Sequence, residues 1–147
     1  MNSREWLYDQ IAPCILCEKY MEDSNHELRD YKFWCFDGKV EFVNVFADRQ
    51  KTLKIATLTR EWEPAGFENN IYPPIEEKLD KPKNYHLMVE IAELLSSEFA
   101  HVRIDLYNID GDIFFGEYTF TPASGFQTFI PDEFDLIIGS KWNLDNI

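Results

Sequence analysis

Two short runs late in the chain carry residue types that chemistry needs: Arg103-Ile104-Asp105-Leu106-Tyr107 and Glu117-Tyr118-Thr119-Phe120-Thr121-Pro122. Along an extended strand, successive side chains point to opposite faces. Val102, Ile104 and Leu106 therefore share an apolar face, while Arg103, Asp105 and Tyr107 share the other. On the second run Glu117, Thr119 and Thr121 fall on one face. Carboxylates gathered in this way can hold Mg2+, which prefers hard oxygens and keeps substrate phosphates among its ligands. An arginine beside them can pair with a phosphate. The same pattern also fits a solvated sheet face with an ordinary cross-strand salt bridge between Arg103 and Glu117.

The connector between the runs decides which residues meet. A two-residue turn at Asp110-Gly111 would set Asp105 opposite Gly116 and send Glu117 to the far side. A three-residue turn, Ile109-Asp110-Gly111, pairs Arg103 with Glu117 and keeps Asp105 on their face. Glycine at the last position of a three-residue loop suits a type I turn followed by a bulge, so this second register is the expected one.

The elements that must position these residues follow from spacing and punctuation. Ser3 to Ala12 reads as a short helix with Ser3 as its cap and Trp6, Leu7 and Ile11 inward, ended by Pro13. Cys14 to Met21 reads as a buried strand. Tyr31–Phe36 and Val40–Phe46 flank Asp37-Gly38, a hairpin signal, and Leu53–Leu58 is expected to join the same sheet. Trp62 to Pro82 is rich in Pro, Gly and Asn and should be irregular. From Asn84 to Phe99 the residues Leu87, Met88, Ile91, Ala92, Leu94, Leu95 and Phe99 recur at helical spacing and are expected to face a core. His101–Asn108 and Asp112–Thr121 are strands. Pro131 opens a short last helix that runs through Ile138, with Gly139 at its end. The fold class is α+β, a largely antiparallel sheet with one long helix and a closing β-hairpin.

Bulk properties narrow the field. The chain has 147 residues, 45% hydrophobic and 16% aromatic, enough for one domain with a real core. A net charge of −13 argues against nucleic acid or an anionic membrane as partner. No stretch approaches the roughly 20 apolar residues needed to span a bilayer, and no signal-peptide run follows Met1, so the expected location is the cytoplasm. Cys14 and Cys17 have C-x-x-C spacing, but no second pair or nearby histidine pair completes a zinc site, so free, packed thiols are expected. His26, His86 and His101 are scattered and receive no catalytic role.

R-x-D on one strand and E-x-N-x-x-P on the next resemble the metal-binding signature near the end of ATP-grasp enzymes. Here they stand as Arg103-Ile104-Asp105 and Glu117 to Pro122, with Thr119 where most families place asparagine. Cys17 to Met21, Asp30 to Phe33, Phe36 to Lys39, Lys81-Pro82, Phe115 to Pro122 and Gly125-Phe126 together resemble the TupA-like branch of that family, from about Pro13 to the C-terminus. The resemblance implies an ATP-grasp C-terminal subdomain over residues 1–147, binding ATP and Mg2+. By position, Glu18, Tyr20 and Met21 match the hinge that meets adenine. Asp30 matches an acidic position for ribose hydroxyls, and Lys32 a basic one facing phosphates. Arg103 matches the γ-phosphate contact. Asp105 and Glu117 match the Mg2+ ligands, with Thr119 a weaker third.

The family's other subdomain supplies a glycine-rich loop, and the isolated glycines Gly38, Gly66, Gly111, Gly116, Gly125 and Gly139 do not form one. The expectation is thus a half-site of a carboxylate–amine ligase that forms an acyl phosphate, linked to capsule or teichuronopeptide biosynthesis and inactive alone. Small-molecule acids and amines would be its substrates, and a second copy or a separate first half its partner. Two alternatives stay open: a non-catalytic nucleotide-binding or scaffold domain, and an accessory domain of a glycosyltransferase system.

Overall fold

Two Asp-Gly turns build the sheet. The computed structural model describes residues 10–48 and 52–143. Strands β1 (Asp30–Phe36), β2 (Lys39–Ala47) and β3 (Lys54–Thr59) are followed by a short β4 (Glu68–Asn69) and helix α1 (Tyr85–Ser96). Then come β5 (His101–Ile109), β6 (Asp112–Thr119), β7 (Phe129–Ile130) and helix α2 (Glu133–Gly139). Asp37 and Gly38 join β1 to β2 with φ of 46° and 72°, and Asp110 and Gly111 join β5 to β6 with φ of 55° and 113°. Positive φ at both central residues is what a primed hairpin turn requires, and it matches the twist of the flanking strands.

The main sheet has the order β3-β2-β1-β5-β6, and every neighbouring pair is antiparallel. One face is apolar. Tyr31, Phe33, Cys35, Val43, Val45, Val102, Ile104 and Leu106 pack there against Tyr85, Met88, Val89 and Ala92 of α1. The opposite face is divided. At one end Trp34, Phe36 and Phe42 join Phe67, Phe129 and Ile138 in a second apolar cluster under α2. At the other end it is charged. The architecture is the expected α+β one.

Several expectations are corrected. The hairpin between β5 and β6 has a two-residue turn, because Ile109 pairs with Asp112. The geometry favours Asp110-Gly111 alone: Asp110 tolerates the left-handed conformation, and Gly111 N–H is held by Asn108 Oδ1 at 2.9 Å. The run Cys14–Met21 is not a buried strand. Ile15 is 96% exposed and Leu16 76%. An apolar run becomes a strand only by pairing with a sheet edge, and Cys14–Met21 pairs with neither edge strand, β3 or β6. Cys14 and Cys17 are free as expected but exposed rather than packed.

The helix expected for Ser3–Ala12 lies mostly outside the described residues, and Ile11 at its end is exposed. On α1 the inward stripe is Tyr85, Met88, Val89, Ala92 and Ser96. Leu87 and Leu94, seven residues apart and hence on one flank, face outward instead. The last helix begins at Glu133 rather than Pro131 and includes Gly139, and β6 ends at Thr119.

Candidate functional site

The charged end of the sheet is assembled by three neighbouring strands. On β1, Asp30 and Lys32 face it; on β5, Arg103, Asp105 and Tyr107; on β6, Glu117 and Thr119. Register brings them together, with Lys32 opposite Asp105 across β1 and β5, and Asp30 opposite Tyr107. Across β5 and β6, Asp105 is opposite Glu117, and Arg103 is opposite Thr119.

A bulge creates the second set of pairings. The register shifts between Asp105 and Leu106, which pair with Glu117 and Phe115, leaving Gly116 as the extra residue. An unbulged ladder would put Glu117 on the apolar face. Gly116 fits because a Cβ there would stand 3.1 Å from the Asp105 carbonyl oxygen and 3.3 Å from the Tyr107 ring. The sequence carries the signal for this bulge, since an isolated glycine within a strand is a recognised sign of a bulge or a close approach.

Arg103 is the hub. Its Nε donates to Asp105 Oδ1 at 2.7 Å. Its Nη2 donates to Asp105 Oδ2 at 2.8 Å, to Glu117 Oε1 at 3.1 Å and to Thr119 Oγ1 at 2.8 Å. Thr119 in turn donates to Glu117 Oε1 at 3.2 Å. Lys32 Nζ donates to Asp105 and lies 2.8 Å from Asp30 Oδ2. The carboxylates of Asp30 and Asp105 are each only 2% exposed, Lys32 and Arg103 are 15% exposed, and Glu117 is 60% exposed. Three carboxylates thus face two cations, and the cluster is one unit negative.

Among the described residues, no group of three or more His, Cys, Asp or Glu side chains is placed to hold a metal ion. The oxygens of Asp105, Glu117 and Thr119 nonetheless converge on one positive centre, Arg103 Nη2. They are hard donors of the kind Mg2+ takes.

Beside this cluster lies a cleft of about 460 Å3. Glu18, Tyr20, Met21, Leu28 and Arg29 line it, and Tyr107, opposite Asp30 across β1 and β5, joins it to the charged face. The residues given to the adenine hinge are therefore in a cleft next to Asp30 and Lys32, although they form no strand. The sequence motifs give no role to Arg29, and none to Tyr107 beyond its place on the face of Arg103 and Asp105. For Tyr107 a signal existed, since it alternates in phase with Arg103 and Asp105.

The wall carrying Asn25 and His26 is tied to the hairpin tip. Ser24 donates to the Asp110 carboxylate from its N–H at 3.1 Å and from its Oγ at 2.8 Å. His26 sits against Glu22 at 2.8 Å, and this hydrogen bond raises its pKa. His101, behind Arg103 on the same face, has its pKa lowered by burial and stacks on Phe36 at 4.4 Å between ring centroids. Neither histidine joins the cluster.

The protein thus combines an α+β sheet, a charged cluster spread over three adjacent strands, and a neighbouring cleft. The TupA-like ATP-grasp family model matches residues 1–143, essentially the whole chain, and the protein belongs to that family. The match extends upstream of Pro13, where the motif resemblance began. No curated protein and no solved structure matches the chain. Among the described residues no helix is long and apolar enough to cross a membrane.

Proposed function

We propose that this domain forms one wall of a nucleotide site, in which the charged face meets the triphosphate and the cleft meets the nucleoside. The observation that carries the reading is the convergence of Asp105, Glu117 and Thr119 oxygens on a single cationic nitrogen. Asp105 and Glu117 would hold Mg2+, with the Thr119 hydroxyl a weaker third donor. The metal, when bound, supplies charge neutralisation for the triphosphate. Arg103 then carries its guanidinium toward the γ-phosphate, where planar donors suit phosphate oxygens. Lys32 adds a second positive charge from β1. Glu18, Tyr20 and Met21 line the adjacent cleft, where adenine would lie.

The reaction proposed is carboxylate–amine ligation. A carboxylate oxygen bonds to the γ-phosphorus as ADP leaves, and an amine then displaces phosphate from the acyl carbon. Arg103 and Lys32 stabilise the charge that builds on the transferring group. The proposed setting is cytoplasmic assembly of a cell-surface polymer of the teichuronopeptide or capsular type. A glycine-rich second wall is needed for turnover, so the 147-residue chain alone is expected to be inactive.

A second reading, a nucleotide-binding domain without turnover, is favoured by Thr119 at the asparagine position and by both cations being engaged by carboxylates. Calorimetry with ATP, with and without Mg2+, on the wild type and Glu117→Gln tests the site. Metal-dependent binding that the substitution weakens is expected. No binding at millimolar Mg2+ and ATP would refute the site. Amine-dependent ATP consumption by the chain alone would refute the need for a second wall.

A further inference from the structure

Asp30 and Lys32 stand two residues apart on β1 and so project to the same face. The family resemblance gives Asp30 to a ribose hydroxyl, but its carboxylate is only 2% exposed and lies beneath Lys32. Lys32 Nζ reaches Asp30 Oδ2 at 2.8 Å on one side and Asp105 on the other. Its ammonium also lies 5.5 Å from the centroid of the Phe46 ring, and Phe46 is the cross-strand partner of Asp30. A lysine stem is flexible, and its charge behaves as a point rather than a fork. One carboxylate would leave it several positions. Two carboxylates from different strands and a ring beneath it leave one. An ammonium has three donors. Among the described residues two are used, and the third is available to a substrate oxygen.

We propose that Asp30 is a positioning residue. It holds Lys32 against Asp105 and so fixes where the β1 charge stands beside a bound triphosphate. This rests on the nucleotide reading of the site given above. Asp30 acts only through Lys32 and touches no substrate in this role. Charge and position make opposite forecasts for Asp30→Asn. Removing a negative charge from the cluster should, by charge alone, tighten the binding of an anionic nucleotide. Releasing Lys32 should weaken it.

The experiment has two arms. Calorimetry with ATP and Mg2+ on Asp30→Asn should show about tenfold weaker binding, the loss of one charge-assisted hydrogen bond. In a Lys32→Met background there is no ammonium left to release, so adding Asp30→Asn should bring no further loss and should, by charge alone, tighten binding slightly. Tighter binding in Asp30→Asn, or a full further loss in the double variant, overturns the proposal. The second arm needs no nucleotide. The Lys32 ammonium is followed by proton–nitrogen correlation spectroscopy, with the 70% exposed Lys39 as control. A protected Lys32 signal is expected in the wild type, and it should broaden or shift in Asp30→Asn while Lys39 stays put. An unchanged Lys32 signal overturns the proposal whether or not ATP binds, whereas a wild type that binds no ATP overturns the nucleotide reading alone. Should Asp30→Asn fail to fold, Asp30→Glu moves the carboxylate by one methylene and keeps its charge. The same weakening and the same Lys32 shift are expected, and their absence is equally decisive.

Discussion

Replacing Arg103 by methionine keeps much of the side chain's apolar volume and deletes every donor at the hub of the cluster. The cost can be worked from the partners. The bond to Glu117 contributes little, because that carboxylate is 60% exposed and screened by water. The bonds to Asp105, at 2.7 and 2.8 Å, matter most, since that carboxylate is 2% exposed. Breaking a buried ion pair by removing one partner costs about 3–5 kcal/mol, because the other charge stays buried. Lys32 still faces Asp105 after the substitution, so the lower end, about 3 kcal/mol, is expected. For a domain of this size that corresponds to a fall of roughly 10 °C in melting temperature.

Urea denaturation of the wild type, Arg103→Met and Arg103→Met/Asp105→Leu checks the figure. The double variant removes both charges and fills the space, Lys32 keeps Asp30 at 2.8 Å as its partner, and pairs replaced in this way are often neutral. It should recover most of the lost stability. A single-variant loss below about 1 kcal/mol, the value of an exposed pair, would show that Asp105 is not buried against Arg103.

Three further outcomes are expected. Glu93 is pushed up by burial, but hydrogen bonds from Arg60 and Lys39 and the Val40 N–H outweigh this and hold its pKa below the ordinary carboxylate range. A depressed carboxylate pKa stabilises the fold above the ordinary carboxylate range, and this is lost as pH falls through the folded-state value. Glu93→Gln should therefore flatten the fall in urea midpoint below about pH 5; an unchanged acid limb contradicts this. The thiol of Cys35 is buried and pushed up to about 11, whereas Cys14 and Cys17 are exposed. A thiol-reactive disulfide reagent should modify the latter pair quickly and Cys35 only on unfolding, which timed mass spectrometry would verify or disprove. Gly116→Val should destabilise by about 1–3 kcal/mol through overpacking against the Asp105 carbonyl. Gly139→Ala, with nothing within 4 Å, should be neutral or better by urea midpoint, and equal effects at the two glycines would refute the bulge account.

The strands of the main sheet and α1 were legible because their signals are local. Asp-Gly between alternating runs marked both hairpins, and helical spacing marked α1. Elements that depend on a distant partner were less legible. Cys14 to Met21 has the composition of a strand, yet a strand needs an edge, and composition carries no record of which edges are taken. The flanks of α1 failed for a related reason. Leu87 and Leu94 are as apolar as Met88, and only the position of the sheet decides which side is covered.

The β5–β6 hairpin shows how a site can be legible before its geometry is. Side chains on paired strands share a face according to parity, so one unpaired residue anywhere between Asp105 and Glu117 brings both to the same side. The expected three-residue turn took that residue from the β5 side, at Ile109. The structure takes it from the β6 side, at Gly116. Both place the two carboxylates on one face, and the difference lies in their neighbours. The expected turn sets Arg103 opposite Glu117; the bulge sets Asp105 opposite Glu117 and Arg103 opposite Thr119. Thr119 thereby comes within 2.8 Å of the guanidinium, and its oxygen joins those of Asp105 and Glu117 around one cation. The convergence on which the nucleotide reading rests is therefore a product of the bulge, and of the missing side chain that lets β6 approach the Asp105 carbonyl.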